Sequence, residues 1–304
     1  MRRALLIAGP TASGKSAAAL ALGTRFGATI VNADSMQVYR DLRILTARPT
    51  PDEEQLAPHR LFGAIDGAVN FSAGRWARAA REILAEIGER PVIFAGGTGL
   101  YFRALIEGLS DIPPVPEAVR AAVRSRAEGR AMPDLHDELR ARDPETAARL
   151  NMSDRQRILR ALEVMDATGR PLGSFLGARA KPALAEREWA GLYLAPDRAE
   201  LGARIDARFD AMLAQGALGE VAALVQRSLN PALPVMRAHG VPHLAAYLEG
   251  RLTLDEAAAR SKLDTRQYAK RQFTWARHQL SGFKWVAPEE AAEEGARALR
   301  APGG

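Results

Sequence analysis

The chain has 304 residues, 47% of them hydrophobic and 26% charged, the make-up of a globular protein large enough to bury a full core without metal or disulfide staples. It has no cysteine, which excludes disulfide frameworks, thiolate zinc sites and thiol nucleophiles, and no apolar run approaches the roughly 18 residues of a membrane span. Lysine and arginine number 42 against 36 acidic residues, a net charge of +6 that suits a polyanionic partner and equally suits an arginine-heavy composition.

Met1-Arg2-Arg3 runs straight into the strand-like Ala4 to Gly9, so no signal peptide is expected and a soluble cytoplasmic location is. Ser16 to Phe26 has helical composition, so the chain opens as strand, glycine-rich turn and helix. Apolar runs at Ala28 to Asp34 and Pro91 to Ala95, each spaced by at least a helix, continue the alternation of a doubly wound parallel sheet. Ile112-Pro-Pro-Val-Pro116 then punctuates the chain, and from there to about Pro182 it is helical and arginine-rich. This predicts an inserted all-helical domain over residues 113–188, set in a core domain of residues 1–112 and 189–304.

Within the insert, Ser153 to Gln156 has a capping-box pattern, Ile158, Leu162 and Met165 share a face, and Gly169 with Pro171 ends the helix. Trp189 to Leu194 reads as a returning strand. Asp197 with Glu200 caps a helix whose stripe is Leu201, Ile205, Phe209 and Met212. Arg260 to Arg277 holds six basic residues against the single acidic Asp264, with interleaved aromatics, a pattern that leans modestly toward nucleic acid over a plain solvated face. Phe283 to Val286 reads as an edge strand, and the Gly- and Ala-rich tail after Glu289 as a loose end.

Three motifs carry chemistry. Gly9-Pro-Thr11-Ala12-Ser13-Gly14-Lys15-Ser16 fits the P-loop pattern of nucleotide-binding, including ATP-binding, proteins, and lies between strand and helix as the mechanism needs. Backbone N–H groups and the helix end would surround a phosphate, Lys15 would add a full charge, and the Ser16 hydroxyl would ligate Mg²⁺. The pattern leaves open whether that phosphate belongs to a nucleotide or to another diphosphate ester. Asp34 falls at the carboxyl end of the second strand, where it would serve as metal ligand, general base or N-cap of a helix starting near Met36. Gly96-Gly-Thr98-Gly99 follows the third strand and brings Thr98 within reach of a phosphate at the same edge. The five histidines show no metal-ligand spacing.

The ordered set GPTASGKS, NADSMQVYR, APHRLFGAID, GGTGLYFRALIEGL, DRQRILRALEV and TRQYAKRQFTW resembles the tRNA dimethylallyltransferase (tRNA isopentenyltransferase) family over nearly the whole chain. The resemblance implies a P-loop NTPase-like α/β core and transfer of the dimethylallyl group of dimethylallyl diphosphate to N6 of adenosine 37, beside the anticodon, in tRNAs that read codons starting with U. It implies Mg²⁺ and a tRNA anticodon stem-loop as partner; the chain is expected to act as a monomer, away from membranes. The resemblance puts Gly9 to Ser16 on the diphosphate and the metal, makes Asp34 the base at the adenine amine, and has Thr98 and Arg208 hold the leaving group. Asp34, Ser35, Met36, Gln37, Thr98, Arg120, Gln156, Arg157, Ile158, Leu159, Arg160 and Arg237, with Arg266 and Lys270 from the basic segment, would contact tRNA. The chain departs from many members at His239-Gly240-Val241-Pro242, and at Leu42 to Pro49, where Arg48 replaces a lysine. A small-molecule kinase, an adenylate isopentenyltransferase acting on AMP or ADP, and a non-catalytic nucleic-acid-binding protein are the alternatives.

Overall fold

The computed structural model describes residues 4–177 and 180–300. β1 (Ala4–Ala8) is buried along its whole length and leads through a turn into α1 (Lys15–Phe26). β2 (Thr29–Asn32) follows, then α2 (Pro51–Leu56), the short β3 (His59–Arg60), α3 (Ala73–Ile87), β4 (Val92–Gly96) and α4 (Gly99–Ile106).

The helices α5 (Glu117–Arg126), α6 (Met132–Arg142), α7 (Pro144–Arg149) and α8 (Arg155–Thr168) come next. The chain then supplies β5 (Trp189–Leu194), α9 (Arg198–Ala214), α10 (Ala217–Gln226), α11 (Val241–Leu248), the 26-residue α12 (Leu254–Gln279), β6 (Phe283–Val286) and α13 (Ala291–Arg300).

The six strands form one parallel sheet in the order β3-β2-β4-β1-β5-β6. Strands covered on both faces read as continuous apolar runs, as β1 and β4 do. One face packs Leu5, Ile7, Ile30 and Ile93 against Ala18, Ala19 and Leu22 of α1 and against α13. On the other, Trp76 stacks on Tyr101 (4.2 Å between centroids), meets Phe94 edge-on and donates its indole N–H to the Asn32 carbonyl (2.8 Å). From β1 the sheet grows through β4 to β2 and β3 on one side, and to β5 and β6 on the other. Open α/β sheets bind ligands where the direction of growth reverses, here outside the carboxyl ends of β1 and β4.

The chain divides into two compact units, one running to Ile106 and again from Ala183, the other spanning Glu107–Pro182. These limits lie six residues earlier at each end than the division at 113 and 188. The Leu105 carbonyl accepts from Ala183 N–H (2.8 Å) and Leu184 N–H (3.0 Å), so departure and return meet beside α4. The second unit has its own core, with Val123, Leu135, Leu139, Ile158 and Leu162 fully buried.

Several local expectations need correcting. The α8 cap is Asp154, whose carboxylate accepts from Arg157 N–H (3.1 Å), while the Ser153 hydroxyl donates to Asn151. The segment after Glu289 is no loose end up to Arg300. It forms α13, which buries Ala291, Gly295 and Ala296, and a Cβ on Gly295 would lie 2.4 Å from Leu22. No helix starts near Met36, where residues 35–38 form a turn.

Candidate active site

The Gly9 to Ser16 segment leaves the carboxyl end of β1 as a loop whose shape its small residues permit. Ala12 (φ 62°) and Gly14 (φ 86°) take left-handed conformations, which turn successive N–H groups to one side. A Cβ on Gly9 would lie 2.7 Å from Ser13 Oγ and 3.1 Å from the Leu194 carbonyl, so a side chain there would crowd both the loop and β5. Ser13 Oγ is buried with no hydrogen-bond partner, a polar group fitted to a phosphate oxygen. Ser16 is exposed at the start of α1.

Lys15 is buried, and its ammonium donates to the Pro10 carbonyl (3.0 Å). Burial lowers its pKa from 10.5 to about 8; the Asp34 carboxylate opposes that shift and the Arg208 guanidinium adds to it. Arg208 comes from α9 and donates to the Thr11 hydroxyl. Burial lowers its pKa too, against the influence of Asp34.

Asp34 uses its two oxygens differently. Oδ1 accepts from Met36 N–H (2.9 Å) and Gln37 N–H (3.4 Å), holding the turn that follows β2. The capping geometry is thus present, on a turn in place of a helix. Asn32 braces the same residue from both sides, its Nδ2 donating to the Asp34 carbonyl (2.9 Å) and its Oδ1 accepting Asp34 N–H (2.8 Å). Oδ2 lies on the Gly97 side, 3.5 Å from where a Cβ on that glycine would be. Burial and the same carboxylate also raise the pKa values of Tyr101 and Tyr268.

Thr98 lines a cavity of about 250 Å³ together with Gly9, the first residue of the P-loop, and with Gly97, Tyr268 and Gln272. Its hydroxyl accepts from Ser35 N–H (2.9 Å), bonds to Tyr268, and so ties the loop after β4 to the loop bearing Asp34. Gly96 allows this contact, since a Cβ there would fall 2.0 Å from the Ala33 backbone.

Two cavities share Arg208. One of about 310 Å³ is lined by Lys15, Ser16, Gln37, Arg43, Arg48 and Arg208. The other, of about 190 Å³, is lined by Thr11, Asp34, Met36, Arg208, Arg237, His239 and Tyr268. Ser35 lines the second as well. Gln37 faces the first, with its amide donating to the Thr46 carbonyl (2.9 Å). Arg48, at the position of a family lysine, donates to the Tyr39 carbonyl (3.0 Å) and borders the P-loop cavity.

The basic residues of α12 are less free than the acid-poor segment implied. Arg266 pairs with Asp206 and Lys262 with Asp210, both on α9, while Lys270 and Arg271 are exposed. Phe273 is buried, so it does not share the exposed face of Lys270.

In the second unit, Arg120, Arg124 and Arg160 surround the buried Glu163 at 3.8, 3.1 and 3.8 Å. Gln156 and Arg157 are exposed, and Arg157 pairs with Asp154 (3.3 Å). Leu159 packs partly on the unit's core. Ile158, at 0% exposure, lies within that core and offers no side chain to RNA, a correction forced by the helical period that also buries Leu162 and Met165.

Reading the sequence missed Gln272. Its Oε1 accepts from Thr11 N–H (3.0 Å) and its Nε2 donates to the Gly97 carbonyl (2.9 Å). Those partners are 261 and 175 residues away, and a glutamine among the basic residues of a helix carries no local signal. Asn32 was likewise read only as part of a strand.

Among the described residues, no group of three His, Asp or Glu side chains is gathered as a metal cage. The oxygen donor beside the P-loop is the Ser16 hydroxyl, which suits an ion completed by phosphate oxygens and water.

A phosphate-cradling loop at the switch point of a parallel sheet, the buried Lys15, the half-buried Arg208 and an adjacent carboxylate define a P-loop α/β enzyme acting on a phosphate ester. The family model for IPP transferase matches residues 37–279. A tRNA dimethylallyltransferase of Methylocella silvestris is 63% identical over 291 residues, 95% of this chain and 96% of the relative. One from Methylobacterium sp. is 62% identical over 296 residues, with 96% of each covered. Among solved structures, the full-length tRNA isopentenylpyrophosphate transferase of Bacillus halodurans superposes with a TM-score of 0.68 at 31% identity, covering 98% of this chain and 97% of that one. A eukaryotic dimethylallyltransferase acting on tRNA gives a TM-score of 0.78 at 25% identity, with 98% and 78% covered. The chain belongs to the IPP transferase family.

Proposed function

We propose that this protein transfers the dimethylallyl group of dimethylallyl diphosphate to N6 of an adenosine in tRNA, releasing diphosphate. The relatives' activity on tRNA supports this reading, and the observation that carries it is the position of Arg208. That cation borders both the P-loop cavity and the cavity holding Asp34, so a diphosphate leaving group and a nucleophile would meet on its two sides. The acceptor is adenosine 37 in the anticodon stem-loop of tRNAs that read codons starting with U. The enzyme works as a cytoplasmic monomer.

An exocyclic adenine amine is a weak nucleophile, so the site must stabilise the departing charge and take up a proton. Lys15 and Arg208 hold the diphosphate oxygens as the bond between the prenyl carbon and the ester oxygen breaks. The new bond forms between that carbon and N6, and the N6 proton passes to Oδ2 of Asp34. Oδ1, bonded to the turn, keeps the carboxylate in place. Thr98 and Tyr268 hold the loop that carries it. Mg²⁺, held by Ser16 and the diphosphate, would supply further neutralisation of the leaving group. Because the base lies in a folded anticodon arm, it must be splayed out into the cavity, with Arg237 at the cavity wall beside its backbone.

Incubating the protein with labelled dimethylallyl diphosphate and, separately, unmodified tRNA, AMP or ADP tests the proposal. Label should enter tRNA alone, and a folded Lys15→Ala variant should lose at least about a hundredfold in turnover. Transfer to AMP or ADP would establish the adenylate reading, and phosphoryl transfer from ATP the kinase reading.

A further inference from the structure

Gln272 lies on the inner face of α12, and its side chain is 8% exposed. Its amide is oriented without ambiguity, because one partner, Thr11 N–H, only donates and the other, the Gly97 carbonyl, only accepts. The Gly97 backbone comes so near that a Cβ there would lie 2.2 Å from Nε2.

Each bond ends on a different half of the site. Thr11 belongs to the P-loop and its hydroxyl accepts from Arg208, the cation shared by the two cavities. Gly97 precedes Thr98, whose N–H donates to the Ala33 carbonyl (3.1 Å) and whose hydroxyl accepts from Ser35 N–H, so this loop holds in place the neighbouring loop that carries Asp34. One buried amide thus spans the gap between the group that holds the diphosphate and the group that faces the nucleophile.

We propose that Gln272 is a positioning residue that sets the leaving-group half of the site against the acceptor half. The inference rests on the prenyl-transfer reading above. Each half still binds its own ligand without the bridge, but the reacting atoms are no longer held in register, and a displacement of about 1 Å can cost about a hundredfold in rate. The signature is therefore a lowered rate of the bound complex with binding unchanged.

Gln272→Met keeps the length and burial of the side chain and removes both hydrogen bonds. Gln272→Glu keeps an acceptor for Thr11 N–H and loses the donor to Gly97. Measured in parallel with the unsubstituted protein are the single-turnover rate from labelled dimethylallyl diphosphate to tRNA, the dissociation constants for inorganic diphosphate and for tRNA, and the melting temperature. The expected result is a rate about ten- to a hundredfold lower in Gln272→Met and an intermediate loss in Gln272→Glu, with both dissociation constants within about threefold of the unsubstituted values. An unchanged rate in Gln272→Met overturns the inference, as does a rate loss matched by weaker binding of either probe. Should Gln272→Met fail to fold, Gln272→Glu decides by the same criteria, and failure of both to fold overturns the positioning role in favour of a structural one. Absence of transfer by the unsubstituted protein would instead overturn the prenyl-transfer reading on which the inference stands.

Discussion

The two oxygens of Asp34 face different ways, one holding the turn after β2 and the other beside Gly97, so that in the proposed reaction a single carboxylate would both hold the fold and accept a proton. Asparagine keeps an oxygen for Met36 N–H and Gln37 N–H and puts an amide nitrogen in place of Oδ2, so it preserves the turn and cannot accept a proton at neutral pH. Asp34→Asn should melt near the unsubstituted protein, bind tRNA normally and lose about a hundredfold or more in single-turnover transfer. Asp34→Ala should also lose about 1 kcal/mol of stability with the turn bonds. Full activity in the asparagine variant would remove Asp34 as the base. At Lys15, the burial that shields the ammonium also brings its pKa to about 8. In the proposed reading diphosphate binds the charged form, so affinity should fall as pH rises through 8, by up to about tenfold per unit, as the free enzyme's lysine loses its proton. Calorimetry with inorganic diphosphate from pH 7 to about 9.5 checks this, with Lys15→Met carrying the ligand's own titration. Equal pH slopes for the two proteins would exclude Lys15 from the binding site.

At the scale of elements, α12 divides its labour by face. Its inner side delivers Tyr268 and Gln272 to the site, while its basic residues are split between internal pairs and solvent. An arginine already held by Asp206 has less charge to offer a phosphate than an exposed lysine, so the two residues expected on tRNA should behave differently. Lys270→Gln should reduce the slope of log affinity for tRNA against log salt by about one unit, and Arg266→Gln by clearly less. Filter binding over a range of salt measures both, and identical slopes for Lys270→Gln and the unsubstituted protein would mark Lys270 as solvated surface. In α13, alanine and glycine pack where larger side chains would collide with Leu22, so its composition reflects a close helix contact.

For the whole molecule, the second unit is an excursion from a core that is closed at its base by the Leu105 bonds to Ala183 and Leu184. Such a stem needs little chain to bridge it, and the unit beyond has its own buried cluster. Replacing residues 107–182 with a short Gly-Ser linker should leave a cooperatively folding protein that binds inorganic diphosphate within about threefold of the full chain. If the exposed Gln156 and Arg157 and their neighbours serve tRNA, affinity for tRNA should drop about tenfold or more. Unchanged tRNA affinity in the folded, excised protein would confine the RNA contacts to the core.

The P-loop was legible because its physics is local. A short apolar strand, glycines that admit left-handed backbone and a helix N-terminus suffice to build a phosphate cradle within eight residues, and Asp34 was placed by the strand it ends. The strands from Trp189 to Leu194 and from Phe283 to Val286 followed from their own composition. The two-residue β3 did not, because it is a strand only through its pairing with β2. The ion pairs from α9 to α12, the docking of α13 on α1 and the bridge made by Gln272 all join segments whose meeting depends on how helices pack. Short-range order comes from backbone sterics and the periodicity of apolar residues, which the amino-acid sequence states directly. The identity of a partner many residues away is set only when the sheet and its helices close, and for that reason the tertiary structure alone decided which charges on α12 are spent internally and which side chain spans the two halves of the site.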